Sequence, residues 1–389
     1  MAQINRLFII CGEPSGDINA GMLAAAILKI NPKIKISGVG GSLLRNTGAQ
    51  IYCDIKELSV IGLFDVLKKL PKFLALRKLI LQRIDKEKPD AIILVDFSGF
   101  NLRLAKAINK AIPVIYYVSP QVWASRKGRL KTIRKYISRM VVLFKFEEEF
   151  YRAIGITVDF AGHPLLEATR PTMAKKEFLL SLKLSETKTT LALLPGSRRQ
   201  EIEKILPVML KTALLLNKKL GDLQFVIAKS PTVEWDIYNQ RVAGAGLDLK
   251  IVEGKTYDCL NVADFSLVAS GTATLEAAIM QKPFAVVYKL SLLNYLLYLP
   301  QVKVPYIGMA NIVAGKKIVP EFIQFGATPG RIAHTVQGLL RNPERLQQMK
   351  EELSLVASSL GEKGASQRAA ELILNFLKNG TPNGQARDT

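Results

Sequence analysis

The feature that most constrains this chain is a recurring one: a short, unbroken apolar run, a loop of small residues, then a helical pattern. Residues 7–11 run into Gly12-Glu13-Pro14-Ser15-Gly16-Asp17 and a helical stretch over 18–28. Residues 34–39 end in a Gly-rich turn, and 91–95 end at Asp96. Runs at 114–118, 140–144, 158–160, 190–194, 225–228, 249–252, 265–269 and 284–288 follow. A run without apolar–polar alternation is a strand buried on both faces, which is the mark of a parallel sheet covered by helices. Strands alternating with helices make an α/β chain. At 389 residues two domains are expected. We place them at 1–168 and 188–358, joined by a polar, Lys-rich stretch at 165–188. Closing helices are expected at about 329–341, 343–359 and 365–378. The segment 360–378 is expected to complete the first domain, and 379–389 to be a disordered tail.

Open parallel sheets bind ligands at the carboxyl ends of their strands, so the loops above are the candidate sites. The first, around Glu13, Ser15 and Asp17, is not a GxGxxG dinucleotide fingerprint. Glu13 and Asp17 are polar site candidates, and Asp17 serves equally as a helix N-cap. Asp96, at the end of an apolar strand, is placed for a general base, since apolar walls raise a carboxyl pKa; a plain capping role is the alternative. Ser119-Pro120-Gln121-Val122-Trp123-Ala124-Ser125-Arg126 joins an indole and a cation in one loop, suited to a sugar face and a phosphate. His163 is read as capping a domain edge.

In the second half, Gly196, Ser197 and Arg198 form a helix-start cradle with a bidentate donor. Ser270, Gly271 and Thr272 form another between a strand and a helix, with Glu276 one turn on, within reach of a ribose. Each cradle fits a phosphate or a diphosphate, and each fits an ordinary N-capped helix. Asn311 offers an amide to a base or a ribose.

Charge narrows the partners. There are 54 basic against 33 acidic side chains, a formal charge of +21. That favours an anionic partner. Aromatics are 7% and no basic–aromatic run occurs, so nucleic acid is not expected. Cys11, Cys53 and Cys259 are widely spaced, and His163 and His334 are the only histidines. Neither a disulfide framework nor a metal site is expected. No signal-peptide pattern and no long uncharged apolar run occurs, so a cytoplasmic location is expected. Residues 60–83 mix apolar groups with positive charge. Leu63, Phe64, Lys68, Lys69, Lys72, Phe73 and Arg77 suit an anionic membrane surface, or else a core helix with a basic outer face. Residues 291–305 are a second apolar surface, interfacial or dimeric.

The blocks Cys11-Gly12-Glu13-Pro14-Ser15-Gly16-Asp17, Tyr117-Val118-Ser119-Pro120-Gln121-Val122-Trp123-Ala124, Phe160-Ala161-Gly162-His163-Pro164, Leu193-Leu194-Pro195-Gly196-Ser197-Arg198, Ala269-Ser270-Gly271-Thr272-Ala273-Thr274-Leu275-Glu276 and Asn311-Ile312-Val313-Ala314-Gly315, in this order, resemble the lipid-A-disaccharide synthase family. The resemblance implies a GT-B fold, two Rossmann-like domains with parallel sheets facing across a cleft. It implies inverting, metal-independent transfer without a cofactor. The donor would be UDP-2,3-diacylglucosamine, the acceptor 2,3-diacylglucosamine 1-phosphate (lipid X), and the products a β-1,6-linked disaccharide 1-phosphate and UDP. It also implies peripheral attachment to the cytoplasmic face of an inner membrane, and a homodimer in some members. Asp96 falls where the family carries an essential carboxylate, with Glu13 in reserve. Arg198, Ser197, Gly196 and the Ser270–Thr272 amides would hold the diphosphate and Glu276 the ribose, while Asn311 would hold the uridine or complete the site from a partner subunit. Ser15, Ser119, Gln121, Trp123 and Arg126 would face the acceptor. Some relatives carry a second acid where this chain has Gly99, so a two-carboxylate mechanism at that loop is not expected. Two rivals stand: another GT-B enzyme, such as an epimerase or a soluble-acceptor transferase, and a basic, non-catalytic membrane- or nucleic-acid-binding α/β protein.

Overall fold

The computed structural model describes residues 4–57, 70–298 and 304–379. The chain divides into two compact units, Met1–Pro164 with Leu360–Thr389, and Leu165–Ser359. The 165–188 stretch, expected as a linker, is built into the second unit. Its helix Lys175–Ser181 buries Phe178 and Leu179, and the Thr172 and Met173 amides donate to buried Asp258.

The first unit holds β1 (Arg6–Ile10), β2 (Lys35–Gly40), β3 (Gln50–Asp54), β4 (Ala91–Val95), β5 (Val114–Tyr117), β6 (Arg139–Val142) and β7 (Val158–Phe160). They form one sheet in the order β3-β2-β1-β4-β5-β6-β7, every pairing parallel. All of β4 and β5 is buried, as unbroken apolar runs require. The edge strand β3 has only the three-residue apolar run Ile51-Tyr52-Cys53 between polar Gln50 and Asp54, too short to mark a strand in the sequence. The C-terminal helix Ala365–Lys378 returns to pack on the first helix, Pro14–Ile30.

The second unit holds β8 (Thr189–Leu194), β9 (Leu223–Lys229), β10 (Leu249–Glu253), β11 (Phe265–Ala269), β12 (Phe284–Tyr288) and β13 (Glu321–Ile323). Their order is β10-β9-β8-β11-β12-β13, again all parallel. Each sheet runs outward from one central strand, then restarts on its other side. The switch point lies between β1 and β4 in the first unit and between β8 and β11 in the second. Crevices form there because the connections leave in opposite directions.

Candidate active site

In the first unit the switch point brings the Glu13–Ser15 loop beside Asp96. Gly12 is pressed against the neighbouring loop: a Cβ there would stand 2.3 Å from the Phe97 ring. Asp96 and Phe97 both have positive φ, 49° and 46°, a conformation that costs an L-residue about 1–2 kcal/mol. The turn is held from beneath. Asn101 Nδ2 donates to the Asp96 carbonyl at 2.8 Å and the Val95 carbonyl at 3.3 Å, and Tyr116 donates its hydroxyl to the Asp96 carbonyl at 2.5 Å. Desolvation pushes the Asp96 carboxyl up to about 6, and the negative charge of Glu13 adds to the rise. Arg129, which no motif in the sequence marks, donates to Ser98 at 2.7 Å and brings a cation to this loop. Asp17 caps, but not its own helix: its carboxylate accepts from Gly41, Leu43 and Leu44 amides.

The loop after β5 differs from expectation at two positions. Ser119 is buried and donates its hydroxyl to Glu147 at 2.6 Å, and Trp123 Nε1 donates to the same carboxylate at 3.0 Å. Their polar atoms therefore face inward, whereas Gln121 and Arg126 are exposed. Ser15 is exposed at the start of the first helix. His163 is buried against Phe144, and burial holds its pKa down to about 4.

In the second unit the loops after β8 and β11 flank the crevice. Arg198 caps the helix Arg199–Leu220. Glu201, three residues on, accepts from the Ser197 amide at 3.2 Å and from Arg198 Nη1 at 3.1 Å. Gly196 has φ 115°, and a Cβ there would lie 2.5 Å from Glu201 Oε2. Thr232, after β9, donates to the Ser197 carbonyl at 2.9 Å. Across the crevice Gly271, with φ 144°, precedes the helix Thr272–Ile279. Gly271 and Thr272 are exposed. Glu276 accepts from the Tyr257 hydroxyl at 3.2 Å, and burial raises its carboxyl pKa.

Two expectations here need correction. The Ser270 hydroxyl donates to the Ile307 carbonyl at 2.9 Å, so its proton is turned to the protein and the backbone N–H is the donor left for a phosphate. Asn311 is wholly buried. Its Nδ2 donates to the Val319 carbonyl and to Glu321, and its Oδ1 accepts from the Ile318 and Val319 amides. With these atoms engaged inside the unit, Asn311 supports the loop before it rather than touching uridine. Glu321 in turn accepts from the Ile307 and Gly308 amides.

Of the expected membrane contacts, Leu63, Phe64, Lys68 and Lys69 lie outside the described residues. Lys72 and Arg77 are exposed on the helix Leu70–Glu87. Phe73 is a correction: its ring packs inward on Phe97 and Phe100, with centroids 6.1 and 6.2 Å away. Among the described residues no cluster of three His, Cys, Asp or Glu side chains is arranged for a metal ion, and no helix is long and apolar enough to cross a membrane.

The family model described as lipid-A-disaccharide synthetase matches residues 7–376. The chain belongs to this family. Similar members are lipid-A-disaccharide synthases from Syntrophus aciditrophicus, 41% identical over 96% of this chain and 98% of the relative, and from Myxococcus xanthus, 39% identical over 98% and 100%. As a lipid-A-disaccharide synthase family member, the chain is a glycosyltransferase of lipid A biosynthesis. Among solved structures, an S. aureus MnaA–UDP complex has a TM-score of 0.64 at 15% identity, covering 98% of this chain and all of that one. A putative UDP-N-acetylglucosamine 2-epimerase from Listeria monocytogenes has a TM-score of 0.61 at 14% identity, covering 97% and 98%. At such identities these show the fold alone, which is GT-B.

Proposed function

We propose that the protein transfers 2,3-diacylglucosamine from its UDP conjugate to lipid X, with inversion and without a metal. Asp96 is the general base. As the acceptor 6′-oxygen attacks the anomeric carbon, Asp96 takes its proton and the bond to UDP breaks. The negative charge that grows on the leaving diphosphate is met by Arg198 and by the backbone N–H groups at Ser197 and Ser270–Thr272, fixed donors of the kind that stabilise transition states most strongly. Glu276 binds the ribose. Gln121 and Arg126 face the acceptor, and Glu13 raises the basicity of Asp96 through its charge. UDP-sugar donors are consistent with the UDP bound in the S. aureus MnaA structure and the UDP-GlcNAc bound in an epimerase from Neisseria meningitidis.

The observation that carries this reading is Asp96 itself: a carboxylate at a switch point, on a strained turn, with a pKa lifted to about 6. A base of that strength is ionised at neutral pH and still takes a proton readily. The test is turnover with the two acylated glucosamine substrates. Asp96→Ala should lose about 10²–10⁴-fold in kcat while UDP binding persists. Wild-type-like turnover in that variant would remove Asp96 from the mechanism. UDP release from the donor without an acylated acceptor would favour an epimerase-like or soluble-acceptor chemistry instead.

A further inference from the structure

The loop after β5 is anchored by a carboxylate to which no role above is assigned. Glu147 lies in the first turn of the helix Lys145–Ala153 and is 3% exposed. A single oxygen, Oε1, accepts both the Ser119 hydroxyl at 2.6 Å and the Trp123 indole N–H at 3.0 Å. One turn along the same helix Tyr151 donates its hydroxyl to the Pro120 carbonyl at 3.0 Å. The Trp123 ring meets Phe146 edge-on, with centroids 5.0 Å apart. Three residues of one helix (Phe146, Glu147 and Tyr151) and three of one loop (Ser119, Pro120 and Trp123) thus form a single latch.

The groups facing Glu147 are uncharged. They are Ser119 and Trp123 from the loop, Tyr151 from its own helix, and the backbone of Leu143 and Phe144 at the end of β6. His163, packed on Phe144, is kept neutral by burial. The adjacent Glu148 takes the local cations, Lys145 at 2.5 Å and Arg152 at 2.6 Å. A charge on Glu147 is therefore supported only by hydrogen bonds and the positive end of a helix.

We propose that Glu147 is the positioning residue of the β5 loop, holding Ser119 and Trp123 as a carboxylate and loosening Trp123 when it takes up a proton. An ionised oxygen accepts two hydrogen bonds strongly, roughly twice as strongly as a neutral one. A protonated carboxyl gives up an acceptor site and weakens the other. Burial pushes this carboxyl up to about 7, while Ser119 and Trp123 pull it down. The exchange falls in the neutral range, and Gln121 and Arg126 lose their fixed support on its acid side. The inference concerns this loop alone and is independent of the transferase roles assigned above.

The chain has two tryptophans, so Trp235→Phe leaves Trp123 as the sole indole reporter in the full-length protein. Its emission should shift to the red, and acrylamide should quench it more, as pH falls, with a midpoint near 7. Adding Glu147→Gln, which keeps an acceptor oxygen but does not titrate, should abolish the transition; adding Asp96→Asn should leave it in place. Ser119→Ala removes a bond that lowers the Glu147 pKa, so it should move the midpoint upward, and it decides the matter if Glu147→Gln does not fold. A flat profile in the folded protein, a transition that survives Glu147→Gln, or a midpoint indifferent to Ser119→Ala overturns the proposal.

Discussion

Asp96 and Phe97 sit side by side at positive φ, and neither is glycine or asparagine. Local preference opposes this turn chiefly at Phe97, by about 1–2 kcal/mol, since Asp enters the left-handed region more readily. It persists because Asn101 and Tyr116 pin the Asp96 carbonyl and because Gly12 leaves room for the Phe97 ring. The proton chemistry has a definite sign. The folded-state pKa of Asp96 is raised, to about 6, by desolvation first and by Glu13 second. With Asp96 as base, kcat/KM should rise with pH through about 6. Glu13→Gln removes the like charge and should move that limb to lower pH, though not to an ordinary Asp value, because desolvation remains. A limb unmoved by Glu13→Gln would separate the two carboxylates. Stability runs the other way. A carboxyl that keeps its proton in the folded state lends stability below its ordinary range and loses it as pH rises through the folded pKa. Asp96→Asn should therefore raise Tm at about pH 8 and leave it nearly unchanged at about pH 4, which calorimetry at the two values would check.

At the scale of elements, buried carboxylates and amides tie together loops that are distant in sequence. Asp17 on the first helix caps the short helix Ser42–Arg45. Glu321 on β13 gathers the Ile307 and Gly308 amides, and Asn311 links Glu321 to the segment around Val319. The loop so built touches the β11 cradle, since the Ser270 hydroxyl donates to the Ile307 carbonyl and the Met309 amide donates to Thr274. Asn311→Ala would strip four hydrogen bonds, three of them buried, and should destabilise the fold by about 2–4 kcal/mol in urea unfolding. UDP affinity of the protein that remains folded should change far less than it does in Arg198→Ala. A large loss of UDP affinity with unchanged stability would return Asn311 to the ligand. Glu201 was legible in principle: a Glu three residues after a helix cap is a known N-terminal pattern, and it holds the Ser197 amide and Arg198.

For the whole molecule, a formal charge of +21 is a long-range field that attracts anionic surfaces. Lys72 and Arg77 are exposed, and Leu74 beside them is 51% exposed. Neutralising Lys68, Lys69, Lys72 and Arg77 together should weaken binding to anionic vesicles, at about 1 kcal/mol per charge, and leave UDP binding intact. Sedimentation with vesicles that shows no change would refute the membrane role. The sequence alone determined the α/β class, most strands and the glycine-bearing loops between strand and helix, because these follow from short-range patterns: an apolar run buried on both faces, a glycine where a turn needs one. It also carried enough ordered motif to mark the family. Only the tertiary structure decided which loops share a crevice, because β4 joins β1, and β11 joins β8, through hydrogen bonds between residues more than seventy positions apart. Tertiary packing likewise chose the partners of Ser119, Trp123, Ser270 and Phe73, which lie some 24 to 37 positions away, and the fold of its own segment chose those of Asn311, 7 to 10 positions away. A polar or aromatic side chain in a loop is equally suited to a ligand or to the protein's own interior, and which of the two it meets depends on what the rest of the chain folds against it.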